Sequence, residues 1–239
     1  MAETVAVIHR VLSTGSSFPS LVESATGRRY VMKLSGAGPG KRALVTEYVA
    51  LRIARHLGLQ APDAEMLGLP RDFPWQTGTD EFHEAVQRSA GANLGVAFIR
   101  DAHDLKASEL AGLPEDFVRR LAATDALLQN VDRTAANPNI MRDAAGVYWA
   151  IDFGACLLIE RLARGAFQPR LDLPPKHFLG GRRVADDARS SAAQIDAAFL
   201  EPVIGALPSD WLADLGLSRE ELLRRLVTYQ AAMRAAVPG

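Results

Sequence analysis

The chain has little cysteine, no excess of charge and no long apolar run, and each shortage excludes a class of protein. It contains one cysteine, Cys156, which excludes an internal disulfide framework and a cysteine-based zinc site. The 27 Lys and Arg residues nearly balance 28 Asp and Glu residues, which does not favour nucleic acid or an anionic membrane as a partner. Neither a signal-peptide segment nor an apolar run of membrane-spanning length is present, so we expect a cytoplasmic protein.

The order of the predicted elements indicates an α+β protein. The 239 residues, 48% of them hydrophobic, can bury a sizeable core as one domain or as two packed lobes. Composition and alternation predict strands at residues 5–12, 20–24, 29–34 and 95–99, and two more within 139–152. Apolar spacing predicts helices at residues 43–57, 114–128, 188–200 and 218–235. Strands followed by helices favour two lobes with a cleft between them.

Two local patterns add detail to this outline. Residues 35–40 are rich in glycine and contain a proline, so we expect a mobile loop there. Ser218, followed by Glu221 three residues later, is a capping-box pattern that predicts the start of the last helix.

A protein that catalyses phosphoryl transfer must mainly position the reacting groups. It needs a segment that covers the phosphates, a cation that contacts them, metal ligands and a carboxylate that orients the acceptor. The segment 14–17 lies between the first two predicted strands and could form the cover. Gly15 would let backbone N–H groups approach phosphate oxygens, while the small residues Ser16 and Ser17 keep the turn tight. An ordinary hairpin turn could have the same composition.

The candidate cation is Lys33, inside an apolar strand. A lysine that points inward from such a strand needs a partner, and Glu47 lies 14 residues later on the following predicted helix. This pairing is typical of kinases, so we expect an ion pair. Alternatively, Lys33 is a surface lysine of an edge strand and Glu47 a solvated helix residue.

The most informative pattern lies between residues 125 and 154. Asp132 and Asn137 stand five positions apart, in a loop between a predicted helix and a predicted hairpin. Asp152, followed by Phe153 and Gly154, comes at the end of that hairpin, which can bring the two segments side by side. Asn137 and Asp152 would supply hard oxygen ligands to Mg²⁺, and Asp132 would orient the acceptor hydroxyl.

At these residues the sequence resembles the HipA-like kinases, a bacterial branch of the protein-kinase-like superfamily. The resemblance covers most of the chain and is carried by four segments: Gly15-Ser16-Ser17-Phe18-Pro19, Tyr30-Val31-Met32-Lys33, Asn130-Val131-Asp132-Arg133-Thr134 with Asn137-Pro138-Asn139, and Ala150-Ile151-Asp152-Phe153-Gly154-Ala155. It implies a bilobal protein-kinase-like fold, with a mainly β N-lobe in residues 1–100 and a mainly helical C-lobe in residues 101–239.

The resemblance also implies cofactors and roles. They are ATP and Mg²⁺, with Lys33 on the phosphates, Glu47 holding it, and Asp132 as the catalytic carboxylate. Asn137 and Asp152 would bind the metal, with Asn139 as a further candidate ligand. The adenine would lie against the strand end, at Phe98, Ile99, Arg100 and Asp101.

The sequence departs from eukaryotic protein kinases at the catalytic loop, which has Asn130-Val131-Asp132, and no Ala-Pro-Glu follows Gly154. The usual activation segment is therefore unsupported. Three functions stay open: a kinase acting on a Ser or Thr hydroxyl of a protein, a kinase of a small molecule such as an alcohol, lipid head group or antibiotic, and a nucleotide-binding pseudokinase that serves as an interaction module. Arg133 could bind phosphate or pair with a carboxylate.

Overall fold

The computed structural model describes residues 3–12, 17–38, 40–74, 78–165 and 169–236. Strands dominate the first part of the chain and helices the rest, as predicted for an α+β protein. The chain divides into two compact units, one of residues 1–44 with 62–99 and the other of residues 45–61 with 100–239. The predicted lobe boundary at residue 100 stays a prediction. In the described residues, no helix has both the length and the apolar character needed to cross a bilayer.

The first unit is a closed five-stranded barrel, where the sequence had suggested only a mainly β lobe. Its strands are β1 (Glu3–Val11), β2 (Ser20–Ser24), β3 (Arg29–Lys33), β4 (Ala64–Leu69) and β5 (Gly91–Ala97). They are hydrogen-bonded in the order β1-β2-β3-β5-β4, and the parallel pairing of β1 with β4 closes the barrel. Strand β4 was not predicted, and it supplies the closure that removes the open edges of the sheet.

The glycine-rich segment after β3 is attached to the barrel through two polar side chains. The backbone N–H of Ser35 donates to Asn93 Oδ1 at 2.8 Å, and that of Gly36 donates to Ser89 Oγ at 2.9 Å. Asn93 is fully buried on β5, and its amide donates to the carbonyl of Ser89. This polar position explains why β5 begins four residues before the predicted strand 95–99: Asn93 has its hydrogen bonds inside the protein.

The second unit is mostly helical. Helix α1 (Lys41–His56) has its first four residues in the first unit and the rest in the second, and α2 (Asp80–Arg88) lies in the first unit. The further helices of the second unit are a 3-10 helix (Ala107–Gly112), α3 (Glu115–Leu128), α4 (Leu158–Ala163), α5 (Ala185–Ala192), α6 (Ala197–Gly205), α7 (Ser209–Leu215) and α8 (Arg219–Ala235). A small antiparallel sheet adds β6 (His103–Asp104), β7 (Ile140–Arg142) and β8 (Tyr148–Ala150).

Helix α3 is the centre of this unit. From Leu121 to its last residue, Leu128, every residue is buried, so the helix is surrounded by protein along that length. The hydroxyl of Tyr229 on α8 donates to the carbonyl of Leu127, near the end of α3. The chain then leaves the helix through Gln129, whose φ of 55° is left-handed. This turn starts the loop that carries Asp132.

One predicted helix is wrong. Residues 188–200 form the end of α5 and the start of α6, with a break between the two helices. Asp196 causes the break, because its carboxylate accepts from the backbone N–H of Phe199 at 2.9 Å and caps a new helix. The cap predicted at Ser218 is confirmed, since its hydroxyl accepts from the N–H of Glu221 at 3.1 Å.

A substitution at Gly36 can test how closely the glycine-rich segment packs against α2. A Cβ at this position would lie 2.6 Å from Arg88 Cβ and 2.8 Å from the Arg88 carbonyl carbon, both too close. We expect Gly36→Ala to destabilise the protein by about 1 to 3 kcal/mol, because the backbone must move. Thermal unfolding would measure the loss, with Gly205→Ala as the control, since a Cβ there meets no atom within 4 Å. Equal melting temperatures of the two variants would contradict this packing.

Candidate functional site

Asp132 is hydrogen-bonded by two asparagines. Asn137 Nδ2 donates to Asp132 Oδ2 at 2.8 Å, and Asn139 Nδ2 donates to the same oxygen at 3.3 Å. An ionised carboxylate only accepts hydrogen bonds, so each asparagine must present its NH₂ group to Asp132. The amide oxygens of Asn137 and Asn139 therefore take no part in these bonds and are available as ligands.

Short-range hydrogen bonds fix the loop around Asp132. The backbone N–H of Thr134 donates to the carbonyl of Asn137 at 3.1 Å, and the N–H of Asn137 donates back to the carbonyl of Thr134 at 3.2 Å. At the start of the loop, Asn130 Oδ1 accepts from the N–H of Asp132 at 3.2 Å. The side chain of Asp132 is partly buried and Asn137 is exposed, so the loop is ordered while its polar groups face solvent.

The hairpin of β7 and β8 brings Asp152 next to this loop, as the spacing predicts. Ile140 pairs with Ala150, and beyond that pair the N–H of Ile151 donates to the carbonyl of Asn139 at 2.9 Å. Asn139 and Asp152 have φ angles of 49° and 54°. Asn and Asp tolerate this left-handed region better than most residues, and such backbone persists where the surroundings fix it, often at functional sites.

Glu47 lies near Asp152 within the second unit. It is on α1 and is only 2% exposed. A Cβ built on Gly154 would lie 3.4 Å from Glu47 Oε2 and 3.7 Å from Asp152 Oδ1. Gly154 thus leaves room between two carboxylates. The sequence had suggested Glu47 only as a partner for Lys33, and that pairing stays a prediction.

A buried polar cluster lies behind the exposed site residues. Arg133 and Asp125 are both 0% exposed, and Arg133 Nε donates to Asp125 Oδ2 at 2.5 Å. His177 Nε2 bonds the same oxygen at 2.9 Å, and Asn130 Nδ2 donates to Asp125 Oδ1 at 3.1 Å. Of the two interpretations of Arg133, the structure favours the carboxylate pair. Sequence reasoning missed Asp125 and His177 as its partners, although a buried arginine always requires a carboxylate or carbonyls nearby.

Cys156 packs against the same cluster. It is 4% exposed, and it forms an isolated β-bridge with Asn130. Burial raises the pKa of its thiol well above the usual value, and the charge of Asp125 adds to this effect. The thiol is therefore held in its protonated form, which is a poor nucleophile and a poor metal ligand.

The chemistry of three polar side chains near Asp132 suits a hard divalent cation such as Mg²⁺. Asp152, Asn137 and Asn139 offer one carboxylate and two amide oxygens, which are hard ligands of the kind that Mg²⁺ prefers. No group of three or more His, Cys, Asp or Glu side chains suited to a metal occurs in the described residues. Mg²⁺ commonly uses only one or two carboxylates and takes its other ligands from water and phosphates, so this set is sufficient.

The other predicted residues for which the structure gives a position lie in the first unit or at the start of the longer segment of the second unit. Lys33 is the last residue of β3 in the first unit and is partly buried. Phe98 and Ile99 follow β5, and the N–H of Phe98 donates to the carbonyl of Arg29 at 3.1 Å. Ser17 is exposed, whereas Gly15 and Ser16 lie outside the described residues. Arg100 and Asp101 are exposed at the start of the longer segment of the second unit.

The fold is that of a kinase. The crystal structure of the Helicobacter pylori proinflammatory kinase CtkA is similar over 98% of this chain and 95% of that chain, with a TM-score of 0.59 and 13% sequence identity. At this identity the likeness concerns the fold alone. No curated protein matches the chain in sequence.

The sequence profile of the HipA-like kinases matches residues 5–222, so the chain belongs to the HipA-like kinase family. The resemblance found in the sequence is thereby confirmed. Membership indicates a kinase-type phosphotransferase, and the matched range includes Lys33, Glu47, Asp132, Asn137 and Asp152.

Cys156 offers a direct test of how well the site is packed. Because the native thiol is buried and its pKa is raised, we expect almost no reaction with a thiol reagent at pH 8. In denaturant one thiol per chain should react, since the sequence contains one cysteine. The measurement is the absorbance change with a chromogenic disulfide. Rapid native labelling would contradict the packing of Cys156 against Asn130.

Proposed function

We propose that this protein transfers the γ-phosphoryl group of ATP, with Mg²⁺, to a Ser or Thr hydroxyl of a protein. The observation that carries the proposal is the arrangement of Asp132, which receives both asparagine amides on one carboxylate oxygen. Family membership supports the class of reaction, and the site residues supply a role for each part of it.

Asp132 is the proposed catalytic residue. Both amides bond Oδ2, and no hydrogen bond from the described residues reaches Oδ1. That oxygen can accept a hydrogen bond from the acceptor hydroxyl and orient it toward the phosphorus. Such a group acts mainly in the transition state, so its contribution should appear in turnover more than in nucleotide binding.

The proposed metal ligands are Asp152 and Asn137, with Asn139 as a further candidate. When bound, Mg²⁺ would neutralise charge on the transferring phosphates. The left-handed backbone at Asn139 and Asp152 aims two ligand side chains from the ends of one hairpin. Asn137 keeps its amide nitrogen on Asp132 and so couples the metal ligands to the catalytic carboxylate.

The nucleotide contacts are proposed from the family resemblance. Lys33 would contact the phosphates, with Glu47 as its partner, and the segment 15–17 would cover them. The adenine would lie against residues 98–101 through backbone groups. In the described part of the first unit, Lys33 is partly buried at the end of a strand, which suits a cation that serves a bound anion.

Incubation with γ-labelled ATP and Mg²⁺, with and without cell lysate, tests the proposal. Labelled protein bands support a protein kinase. Labelled small molecules without labelled protein would indicate that the acceptor is a small molecule such as an alcohol, lipid head group or antibiotic. Absence of all label, while ATP still binds, would overturn phosphotransfer and favour a nucleotide-binding interaction module.

Two variants should separate metal binding from chemistry. We expect Asp152→Asn to weaken Mg²⁺-dependent nucleotide binding by roughly tenfold or more, because a metal ligand loses its charge. Asp132→Ala should keep nucleotide affinity but lower turnover by about 10²- to 10⁴-fold. Calorimetry would measure binding and a coupled assay turnover. Asp186→Asn is a matched control, because that side chain is 93% exposed and forms a surface ion pair with Arg189.

The separation of roles would be contradicted in either of two ways. One is an equal loss of Mg²⁺-dependent nucleotide affinity in Asp132→Ala and Asp152→Asn. The other is full turnover in Asp132→Ala, because a carboxylate that orients the acceptor cannot be removed without cost.

A further inference from the structure

The guanidinium of Arg133 holds together the two segments that carry the proposed metal ligands. Its Nη1 donates to the carbonyls of Pro138 at 2.9 Å and Asn139 at 2.7 Å. Its Nη2 donates to the carbonyl of Ile151 at 3.4 Å, and its Cζ lies 4.9 Å from the centre of the Phe153 ring. One side chain therefore fixes the backbone immediately before or at each of the two left-handed residues.

We propose that Arg133 is a positioning residue for the metal ligands and that His177 locks it in place through Asp125. The expected effect on kinetics rests on the proposed function. The expected effect on the structure rests on the hydrogen bonds alone. Asp125 Oδ2 accepts from Arg133 Nε at 2.5 Å and from His177 Nε2 at 2.9 Å, so a single oxygen joins the two residues.

The hydrogen bonds of His177 define its tautomer. The backbone N–H of Leu179 donates to His177 Nδ1 at 3.1 Å, so Nδ1 has no proton. The proton is on Nε2, which donates to Asp125. His177 is therefore neutral, and the charge of Asp125 is balanced by Arg133. The histidine serves to direct the carboxylate oxygen toward Arg133 without adding a second positive charge to a buried site.

The segment around His177 also contacts Arg133 through the main chain. The N–H of Phe178 donates to the carbonyl of Arg133 at 3.2 Å, and the N–H of His177 donates to the carbonyl of Pro174 at 2.9 Å. The segment 174–179, which lies some twenty residues after Phe153 and Gly154, is thus attached to the catalytic loop at both the backbone and the side chain of Arg133. Displacing this segment would remove the hydrogen bond of His177 to Asp125 Oδ2 and that of Phe178 to the carbonyl of Arg133, which loosens the cluster.

Lysine cannot replace Arg133 in this role. The guanidinium is a planar fork with five N–H donors, and it reaches a carboxylate and three carbonyls at the same time. An ammonium is a compact charge with three donors and cannot span these acceptors. Arg133→Lys would keep the charge balance with Asp125 but lose the side-chain hydrogen bond to at least one of the three carbonyls, those of Pro138, Asn139 and Ile151.

Kinetics provide the first test. Partners behind metal ligands typically contribute 10- to 100-fold, so we expect Arg133→Lys and His177→Ala to lower kcat by that factor. The Mg²⁺ concentration for half-maximal rate should rise, while the KM for the acceptor stays within about twofold. His177→Gln, whose amide can donate near the position of Nε2, should recover most of the loss. A general loss of stability would lower the active fraction without changing the Mg²⁺ requirement.

Two control variants change exposed side chains of the same unit. Arg182→Lys removes an exposed two-pronged contact with Glu115, and His56→Ala removes an exposed imidazole that stacks on Phe199 at 3.9 Å. Both should keep the Mg²⁺ requirement of the unaltered protein. An unchanged Mg²⁺ requirement in Arg133→Lys and His177→Ala, or no recovery in His177→Gln, would overturn the positioning role.

The second test does not need an active enzyme. Cys156 borders the cluster through Asn130, so loosening of the cluster should expose it. We expect thiol labelling of Arg133→Lys and His177→Ala to be faster than that of the control variants, with the larger increase in Arg133→Lys. Native-state hydrogen exchange should show faster exchange at Ile151 and Phe178, while the amides in the middle of α8 stay protected.

Labelling and exchange that match the controls would overturn the inference whatever the activity. If the unaltered protein transfers no phosphate, the proposed function fails by itself, and the labelling and exchange results still decide whether Arg133 and His177 hold these segments. A variant that unfolds would show equally fast exchange in α8, which also counts against a role confined to the site.

Discussion

The candidate site depends on one buried ion pair. Removing both charges of Arg133 and Asp125 from water costs several kcal/mol each, and their attraction offsets this only with good geometry and further hydrogen bonds. Here both partners make further hydrogen bonds. The guanidinium donates to three carbonyls, and the carboxylate also accepts from His177 and Asn130. The pair therefore serves less as a source of stability than as a fixed point to which irregular backbone is attached.

Irregular backbone needs such a fixed point. Carbonyls in a helix or a sheet have regular partners, whereas the carbonyls of Pro138, Asn139 and Ile151 lie just beyond the short ladder of β7 and β8. Buried carbonyls without partners would be costly. Arg133 donates to all three carbonyls, and that of Asn139 also accepts from the N–H of Ile151. These bonds hold the backbone at Asn139 and Asp152, both of which have left-handed φ angles. A regular strand would direct successive side chains to alternate faces and could not orient Asn139 and Asp152 in the same way.

The sequence predicted the parts of the site that depend on short-range order. Asp132, Asn137 and Asp152 are connected by a loop and a hairpin, so their spacing alone brings them together. The cap at Ser218 was predictable for the same reason, because the hydroxyl and its donor are three residues apart. These patterns need no knowledge of the remainder of the fold.

Long-range contacts were the parts that could not be predicted. His177 meets Asp125 across 52 residues, and no local pattern marks either residue as a partner of Arg133. Strand β4 was missed because Gly68 interrupts a short apolar run that carries no turn signal of its own, although it closes the barrel by pairing with both β1 and β5. The break between α5 and α6 was missed because Asp196 can occupy a helix or cap one, and helical spacing does not distinguish these roles.

Glu47 has a neighbour that the sequence did not indicate. The pairing of Glu47 with Lys33 stays a prediction, and within the second unit the carboxylates of Glu47 and Asp152 both lie close to Gly154. Two carboxylates near one point repel each other, and burial of Glu47 increases the cost of its charge. Any side chain at position 154 would occupy part of the space between them, which gives a physical reason for glycine after Phe153 that is independent of backbone strain. The two asparagines that donate to Asp132 add amide oxygens to this region without adding a further negative charge to those of Glu47, Asp152 and Asp132.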